Sequence, residues 1–394
     1  MPANGKRRIP RNALAAAALA VTLALTAGAC EDGESDVGAD DKQQEQQSQA
    51  PENDELKLPD GLPDSLKDLD LDKWRDGGWQ EWAEEDWLRD AREFINPIIE
   101  DLWDADRMWD AEQPPARIDE NDVSEDQGVT DPEPQPVEAA EAATPYTESN
   151  PASGKIFFDT PEGPMVCSGT VVADPANPGK SNLVATAGHC VHKGADGGWW
   201  RNIIFVPSFN PEGKTLAELE AEQATEAEIA PQGTFWAEEA RTTDEWISQG
   251  KTQGGVGAPY DFAVMKVQPK DGGSESLEET VGAAVPVWFD APAVQDVGDV
   301  TATGYPQAAP YDGARMYSCT DAPGRLSIQA AQPTMYRIGC TMTAGSSGGG
   351  WTATNDGEEQ LVSVTSIGPL QATWLAGPRL DKEAEEVFNQ VSGG

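Results

Sequence analysis

Residues 340–351 read CTMTAGSSGGGW, a stretch in which four glycines surround two adjacent serines. A serine hydroxyl attacks a carbonyl carbon when a base takes its proton and backbone N–H groups stabilise the negative oxygen that forms. Gly345 can adopt backbone angles that other residues avoid, so its N–H and that of Ser347 can point into one pocket. A Gly/Ser turn without a chemical role has the same composition. Other parts of the sequence are therefore needed to distinguish a nucleophilic serine from a turn without a chemical role.

Two further residues are candidates for the base and its partner. His189, one of two histidines in the chain, lies in ATAGHC at the end of an apolar run that is predicted to be a strand. Asp261 immediately precedes the apolar run FAVMKV, where a carboxylate is costly to bury unless a group such as an imidazolium pairs with it. Taken alone, each residue also fits a structural role: His189 as a histidine whose hydrogen bonds are satisfied, and Asp261 as an aspartate that caps a strand.

Four motifs occur in the order CSGTVV, ATAGHC, YDFAVMKV and GSSGG. In this order they resemble the trypsin-like serine peptidases, and the resemblance covers residues 150–394. It implies an all-β fold of two antiparallel six-stranded barrels with the active site between them. The spacing between the motifs is most similar to secreted bacterial members related to glutamyl endopeptidases.

The resemblance also implies a role for individual residues. His189 matches the general base, Asp261 the carboxylate that orients it, and Ser347 the nucleophile. The backbone N–H groups of Gly345 and Ser347 match the oxyanion hole. The family's nucleophile stands directly before Gly-Gly, which selects Ser347 rather than Ser346. Neither a metal nor a cofactor is expected.

Three expectations concern positions around this site. Ser346 stands where animal trypsins carry an aspartate that binds a newly cut N-terminus, so we expect activity here without such a cut. Thr341 is expected to line the base of the specificity pocket, and His192 is expected on a surface loop. The segment 361–368, LVSVTSIG, resembles the edge strand that pairs with the backbone of the substrate. Relatives specific for glutamate carry a histidine near this strand, and no histidine follows Ser347 here.

The cysteines indicate disulfides. Apart from Cys30, the chain has four, and an even number in an exported chain favours disulfide pairing over free thiols. Pairing of sequence neighbours, Cys167 with Cys190 and Cys319 with Cys340, is one of three possible arrangements. The resemblance implies the first of these pairs. The spacing typical of zinc ligands, C-x₂₋₄-C, is missing, which argues against zinc.

The first thirty residues are typical of an export signal. Four basic side chains come first, followed by an apolar run, 13–26, that is too short to span a membrane as a mature helix. The next residues, AGAC, resemble a bacterial lipobox, which predicts a signal peptide over 1–29 and a lipid anchor on Cys30. They also suit an ordinary signal peptidase that releases a soluble protein. We therefore expect a lipoprotein on the outer face of the membrane or a secreted protein.

Composition divides the remaining chain. A formal net charge of −42 argues against a nucleic-acid partner. Residues 30–70 are acidic and nearly free of aromatics, which predicts a disordered tether. Residues 71–112 hold six of the thirteen tryptophans at near-helical spacing and are predicted to pack on the main domain, to cover the active site as a prosegment, or to bind a partner. Residues 113–149 read as a Pro- and acid-rich linker, and 150–394 as the peptidase domain.

Within 150–394, an acidic insertion at 211–230 is helix-like, and seven apolar segments read as strands: IFF, MVCSGTVVA, NLVATAGHCV, NIIFVPSF, DFAVMKV, DVTATGY and QLVSVTSIG. The function that follows is a serine endopeptidase that forms an acyl-enzyme on Ser347 and cleaves protein or peptide substrates. A protease-like binding or scaffold protein with an idle triad is the alternative. An esterase would use the same chemistry.

Overall fold

The computed structural model describes residue 96 and residues 102–113, 117–118, 129–251 and 255–393. All of them belong to the second of the chain's two units, Leu56–Gly394. The predicted signal peptide, Cys30, the tether and most of the Trp-rich segment lie outside the described residues. Among the residues described, no helix is both long and apolar enough to cross a membrane.

The first described elements are short and come before the strands of the main sheets. They are helix α1 (Ala105–Asp110), strands β1 (Arg117–Ile118) and β2 (Ala140–Glu141), and helix α2 (Tyr146–Ser149). Asp104 begins α1 by accepting the backbone N–H of Arg107, as aspartate commonly does at a helix N-cap.

Six strands of the first half close into an antiparallel barrel: β3 (Ser153–Thr160), β4 (Gly163–Val172), β5 (Leu183–Thr186), β6 (Arg201–Pro207), β7 (Phe235–Thr242) and β8 (Ala263–Pro269). Their order around the barrel is β3-β4-β5-β8-β7-β6. In β3 the side chains of Ile156 and Phe158 pack in the barrel core, whereas Phe157 packs in a separate outer cluster. Successive side chains of a strand point to opposite faces, so a strand covered on both faces reads as a continuous apolar run.

The second half contains two larger sheets around one core. The first has the order β14-β13-β9-β10-β2, and the second has the order β11-β12-β16. Trp351 and Val362 of the first sheet pack with Tyr336 and Leu375 of the second. The strands are β9 (Val300–Gly304), β10 (Tyr317–Asp321), β11 (Gly324–Leu326), β12 (Met335–Gly339), β13 (Gly350–Asn355), β14 (Glu358–Val364), β15 (Gly368–Pro369) and β16 (Trp374–Gly377).

The remaining helices lie on loops and at the C-terminus: α3 (Leu216–Glu222), α4 (Glu226–Ile229), α5 (Asp244–Gln249), α6 (Leu277–Val281) and α7 (Lys382–Ser392). The helix-like insertion is confirmed, because α3 and α4 both fall within 211–230, and each begins with a capping box. Each of the seven predicted strand segments contains or overlaps a strand. Helix α7, which no sequence pattern predicted, packs its apolar face against β7 and β8.

The described part of the Trp-rich segment packs on the outside of the first barrel. Trp103 is buried there, and its indole N–H donates to the backbone oxygen of Asn202 at 2.7 Å. Arg107 pairs with the buried carboxylate of Asp159 at 2.6 Å. These contacts support the first of the three interpretations, packing on the main domain, for residues 102–112.

Residues 129–141 of the predicted linker pack along the second half. Asp131 forms an ion pair with Arg325 at 2.7 Å, and the N–H of Thr341 donates to the carbonyl of Val137. Strand β2 then adds to the edge of β10. Backbone hydrogen bonds and two ion pairs, the second between Glu141 and Arg315, hold this polar segment, which explains why its hydropathy gave no sign of its position. The boundaries of the five predicted regions stay a prediction.

Candidate active site

The pairing of two strands brings His189 and Asp261 together. Strands β5 and β8 are antiparallel neighbours, so the end of β5 lies beside the start of β8, where Thr186 pairs with Ala263. A single 3₁₀ turn, Gly188–Cys190, follows β5 and carries His189. Asp261 ends a second 3₁₀ turn, Ala258–Tyr260, just before β8.

The carboxylate of Asp261 is 1% exposed and accepts three hydrogen bonds. One oxygen, Oδ1, accepts the backbone N–H of His189 at 2.8 Å. The other, Oδ2, lies 2.7 Å from Nδ1 of His189 and accepts the hydroxyl of Ser366 at 2.6 Å. A carboxylate can only accept, so Nδ1 carries the proton. The other ring nitrogen, Nε2, is then a free acceptor, and it is buried with no hydrogen-bond partner among the described residues.

Aromatic side chains and a disulfide fix the histidine turn. The indole N–H of Trp200 donates to the carbonyl of His189 at 2.8 Å, and the ring of Trp246 lies 6.1 Å from the imidazole. Cys190 is bonded to Cys167. Both sulfurs lie within 4.8 Å of a ring nitrogen of His189, but a disulfide has no thiolate to offer a metal. The second disulfide joins Cys319 to Cys340, so the pairing of sequence neighbours is confirmed.

Ser347 lies in the loop between β12 and β13, and strand β4 of the first barrel holds this loop. The N–H of Ser168 donates to the carbonyl of Ser347 at 2.7 Å, and the hydroxyl of Ser168 donates to the carbonyl of Gly345 at 3.0 Å. Ser168 follows Cys167, which is bonded to the neighbour of His189, so the serine loop and the histidine turn are linked through two adjacent residues. The hydrogen bond from the Ser347 hydroxyl to Nε2 is not formed in this structure.

The backbone N–H groups of the serine loop fall into two sets. Those of Ser346, Gly348 and Gly349 donate to carbonyls at 3.2, 2.7 and 3.0 Å. Those of Gly345 and Ser347 donate to no acceptor within the part of the chain that the structure describes. Gly345 has a φ of +102°, a region that favours glycine. The two unpaired N–H groups are the pair that the motif predicts for an oxyanion hole.

A pocket opens beside Ser347. Thirteen residues line it, including Ser347 and Ser366, and none of the thirteen carries a charge. Its apolar walls include Met342 and Leu375. The expectation for Thr341 is wrong, because this residue does not line the pocket. Its hydroxyl instead accepts the N–H of Ala139 at 2.9 Å, so the linker turns that side chain away.

Ser346 and His192 are both buried. The Ser346 hydroxyl donates to the carbonyl of Thr343 at 2.8 Å, which satisfies it without an N-terminal ammonium. The expectation that His192 lies on a surface loop is wrong. Its Nδ1 accepts the N–H of Gly194 at 2.9 Å, and its ring packs edge-on against Trp199. Burial, with a smaller effect of Arg201, lowers the pKa of His192 to about 4, so the side chain is a neutral structural acceptor.

Two residues that position the site, Ser366 and Ser168, were not predicted. Ser366 stands inside the motif LVSVTSIG and Ser168 inside CSGTVV. Nothing in their spacing indicates which hydroxyl of the first segment reaches Asp261, or that a β4 side chain supports the serine loop.

Of the comparisons with known proteins, the one with solved structures finds similarity. No family profile and no curated protein matches the chain. Among solved structures, it is similar to the protease Anisep from Arthrobacter nicotinovorans, with 27% identity, a TM-score of 0.51, and coverage of 64% of this chain and 99% of that one. The thermostable serine protease AL20 from an extremophilic microorganism has 30% identity, a TM-score of 0.49, and coverage of 62% and 97%. A Glu endopeptidase has 18% identity, a TM-score of 0.46, and coverage of 68% and 100%.

The strand arrangement and the likeness to Anisep give the fold. The chain is therefore a structural relative of the bacterial chymotrypsin-fold serine proteases, as its sequence motifs predicted.

Proposed function

We propose that the chain is a serine endopeptidase with Ser347 as nucleophile, His189 as general base and Asp261 as the carboxylate that orients the base. The observation that carries the proposal is the state of the His189 ring. One nitrogen is bonded to a buried carboxylate, and the other is buried without a partner among the described residues. An imidazole held in this way can take a proton from a hydroxyl that approaches Nε2.

In the proposed reaction the Ser347 oxygen attacks the carbonyl carbon of the peptide bond while its proton moves to Nε2. The carbonyl oxygen becomes negative and accepts the unpaired N–H groups of Gly345 and Ser347. His189 then gives the proton to the departing amine, and an acyl-enzyme remains on Ser347. A water molecule, deprotonated by His189 in the same way, releases the acid and restores the serine.

Labelling with a fluorophosphonate tests this assignment, because the reagent phosphonylates an activated serine. We expect the wild-type chain and Ser346→Ala to be labelled and Ser347→Ala to remain unlabelled. Ser346 is the matched control, since it is adjacent and also buried. A wild-type chain that stays unlabelled would favour the idle scaffold. Loss of labelling in Ser346→Ala, with labelling kept in Ser347→Ala, would show that Ser346 is the nucleophile and contradict the assignment.

The pocket beside Ser347 indicates the substrate class. A charged side chain that enters it finds apolar walls and hydroxyls but no charge of opposite sign on the thirteen lining residues. Burying an unpaired charge costs several kcal/mol, whereas an aliphatic side chain gains from burial. We propose that the residue before the cleaved bond is uncharged and apolar.

Cleavage of a peptide series that differs only at this position checks the proposal. We expect kcat/KM for leucine or methionine to exceed that for glutamate, aspartate or lysine by at least about 100-fold, which corresponds to about 2.7 kcal/mol. A preference for glutamate would contradict it. The comparison is informative because one of the structural neighbours is a Glu endopeptidase.

We also propose that the chain is exported from the cytoplasm. Two disulfides are consistent with an extracellular protein. The lipobox-like sequence before Cys30 favours a lipid anchor on that residue, and the acidic stretch that follows would then separate the peptidase from the membrane. Metabolic labelling with a fatty acid, compared between wild type and Cys30→Ser, distinguishes the anchor from simple secretion.

A further inference from the structure

Strand β15 lies beside the pocket. Its two residues, Gly368 and Pro369, line the pocket together with Ser347. The preceding residue, Ile367, exchanges two backbone hydrogen bonds with Ala376, at 3.0 and 2.8 Å. One side of this segment therefore faces the second half of the protein, and the other side is available to an added strand.

The added strand in this structure belongs to the same chain. Strand β1 pairs with β15 in parallel, with Arg117 opposite Gly368 and Ile118 opposite Pro369. An extended peptide that reaches Ser347 along this edge needs the same backbone groups. Because one edge pairs with one strand at a time, the peptide and β1 exclude each other.

Contacts on both sides of β1 fix its path. Before it, Glu112 exchanges two backbone hydrogen bonds with the first barrel, donating to Pro164 at 2.9 Å and accepting from Val166 at 2.7 Å. After it, Asp131 pairs with Arg325 of the second half. Glu112 thus lies on the first barrel and Asp131 on the second half, and Arg117–Ile118, which pair with β15, stand between them in the sequence.

We propose that Arg117–Ile118 is a built-in competitor that occupies the peptide-binding edge of the intact chain. The inference rests on the proposed function, since it assigns β15 to substrate binding. A segment tethered on both sides reaches an effective concentration in the millimolar range, so free peptides at micromolar concentration are excluded. A small reagent that does not use the edge still reaches Ser347. The intact chain thus selects against extended substrates, and release of β1 opens the edge.

Peptide binding to the full chain tests this without catalysis. In a Ser347→Ala background, we would measure the affinity for a fluorescein-labelled Ala-Ala-Val-Ala-Leu-Ala peptide by fluorescence anisotropy. Ile118→Pro removes a backbone N–H and places proline in the strand, which disfavours pairing. Glu138→Pro is the control, because Glu138 is exposed and its N–H donates to no acceptor in the described ranges.

We expect Ile118→Pro to tighten peptide binding at least tenfold and Glu138→Pro to leave it unchanged. Equal affinities for the two variants, or no binding to either, would overturn the inference. Fluorophosphonate labelling of the chain with Ser347 intact reports on the proposed function separately. Tighter binding without labelling would support β1 as a competitor and refute the peptidase function. Labelling without tighter binding would support the peptidase function and refute β1 as a competitor.

Discussion

Replacing Asp261 by asparagine is expected to lower kcat about 10⁴-fold, a loss of about 5.4 kcal/mol of transition-state stabilisation. The reason lies in the three hydrogen bonds that the carboxylate accepts. The backbone N–H of His189 needs an oxygen at the position of Oδ1. The amide oxygen of the asparagine takes that place, which puts its NH₂ group at the position of Oδ2, facing the ring. An NH₂ group donates, so Nδ1 must lose its proton and Nε2 must gain one.

A histidine protonated at Nε2 cannot take the proton of Ser347, although every heavy atom keeps its place. The measurement is kcat on a peptide ester, with the melting temperature as a check that the variant is folded. Ser366→Ala is the control, because it removes one of the three donors to Asp261 and leaves the tautomer unchanged. We expect its kcat to stay within about tenfold of wild type. An Asp261→Asn variant that is equally active would refute the role assigned to Asp261.

Short sequence motifs indicate the residues of this candidate site more clearly than the contacts that surround them. His189, Asp261 and the unpaired N–H groups of the serine loop stand in short motifs, because a turn that carries a reacting group needs particular residues at fixed spacing. The strands could be predicted from the sequence for a similar reason. A barrel strand such as β3 is apolar on both faces, and this leaves a strong local pattern.

Long-range contacts that use polar groups leave no such pattern. Ser366 and Ser363 are both serines in one strand segment, but only Ser366 reaches Asp261, whereas the Ser363 hydroxyl donates to the carbonyl of Pro378. The pairing of β1 with β15 uses backbone atoms, which every residue has. His192 was misplaced because its burial depends on the aromatic side chains that surround it in the fold. For Ser366 and for β1 the partner lies far away in the sequence.

The loop that carries the unpaired N–H groups is also sensitive to a single added methyl group. A Cβ added at Gly345 would lie 2.6 Å from the carbonyl oxygen of Tyr305 and 2.9 Å from the backbone nitrogen of Gln307. Both are main-chain atoms, so the loop itself must move. The φ of +102° adds strain for any residue with a side chain, of about 1–3 kcal/mol. We therefore expect Gly345→Ala to turn the N–H groups of Gly345 and Ser347 out of alignment.

Loss of one such donor lowers kcat by about 10² to 10³-fold, and we expect a fall in this range for Gly345→Ala with KM changed much less, because the donors act on the negative oxygen of the transition state. Gly357→Ala is the matched control. Its φ is +90°, but an added Cβ there meets no atom within 4 Å, and it lies in the turn between β13 and β14. Gly357→Ala therefore has the same backbone strain without the steric clash. We expect the melting temperature to fall in both variants, and kcat to fall in Gly345→Ala alone. Equal kcat in the two variants would mean that the N–H groups of this loop do not stabilise the transition state.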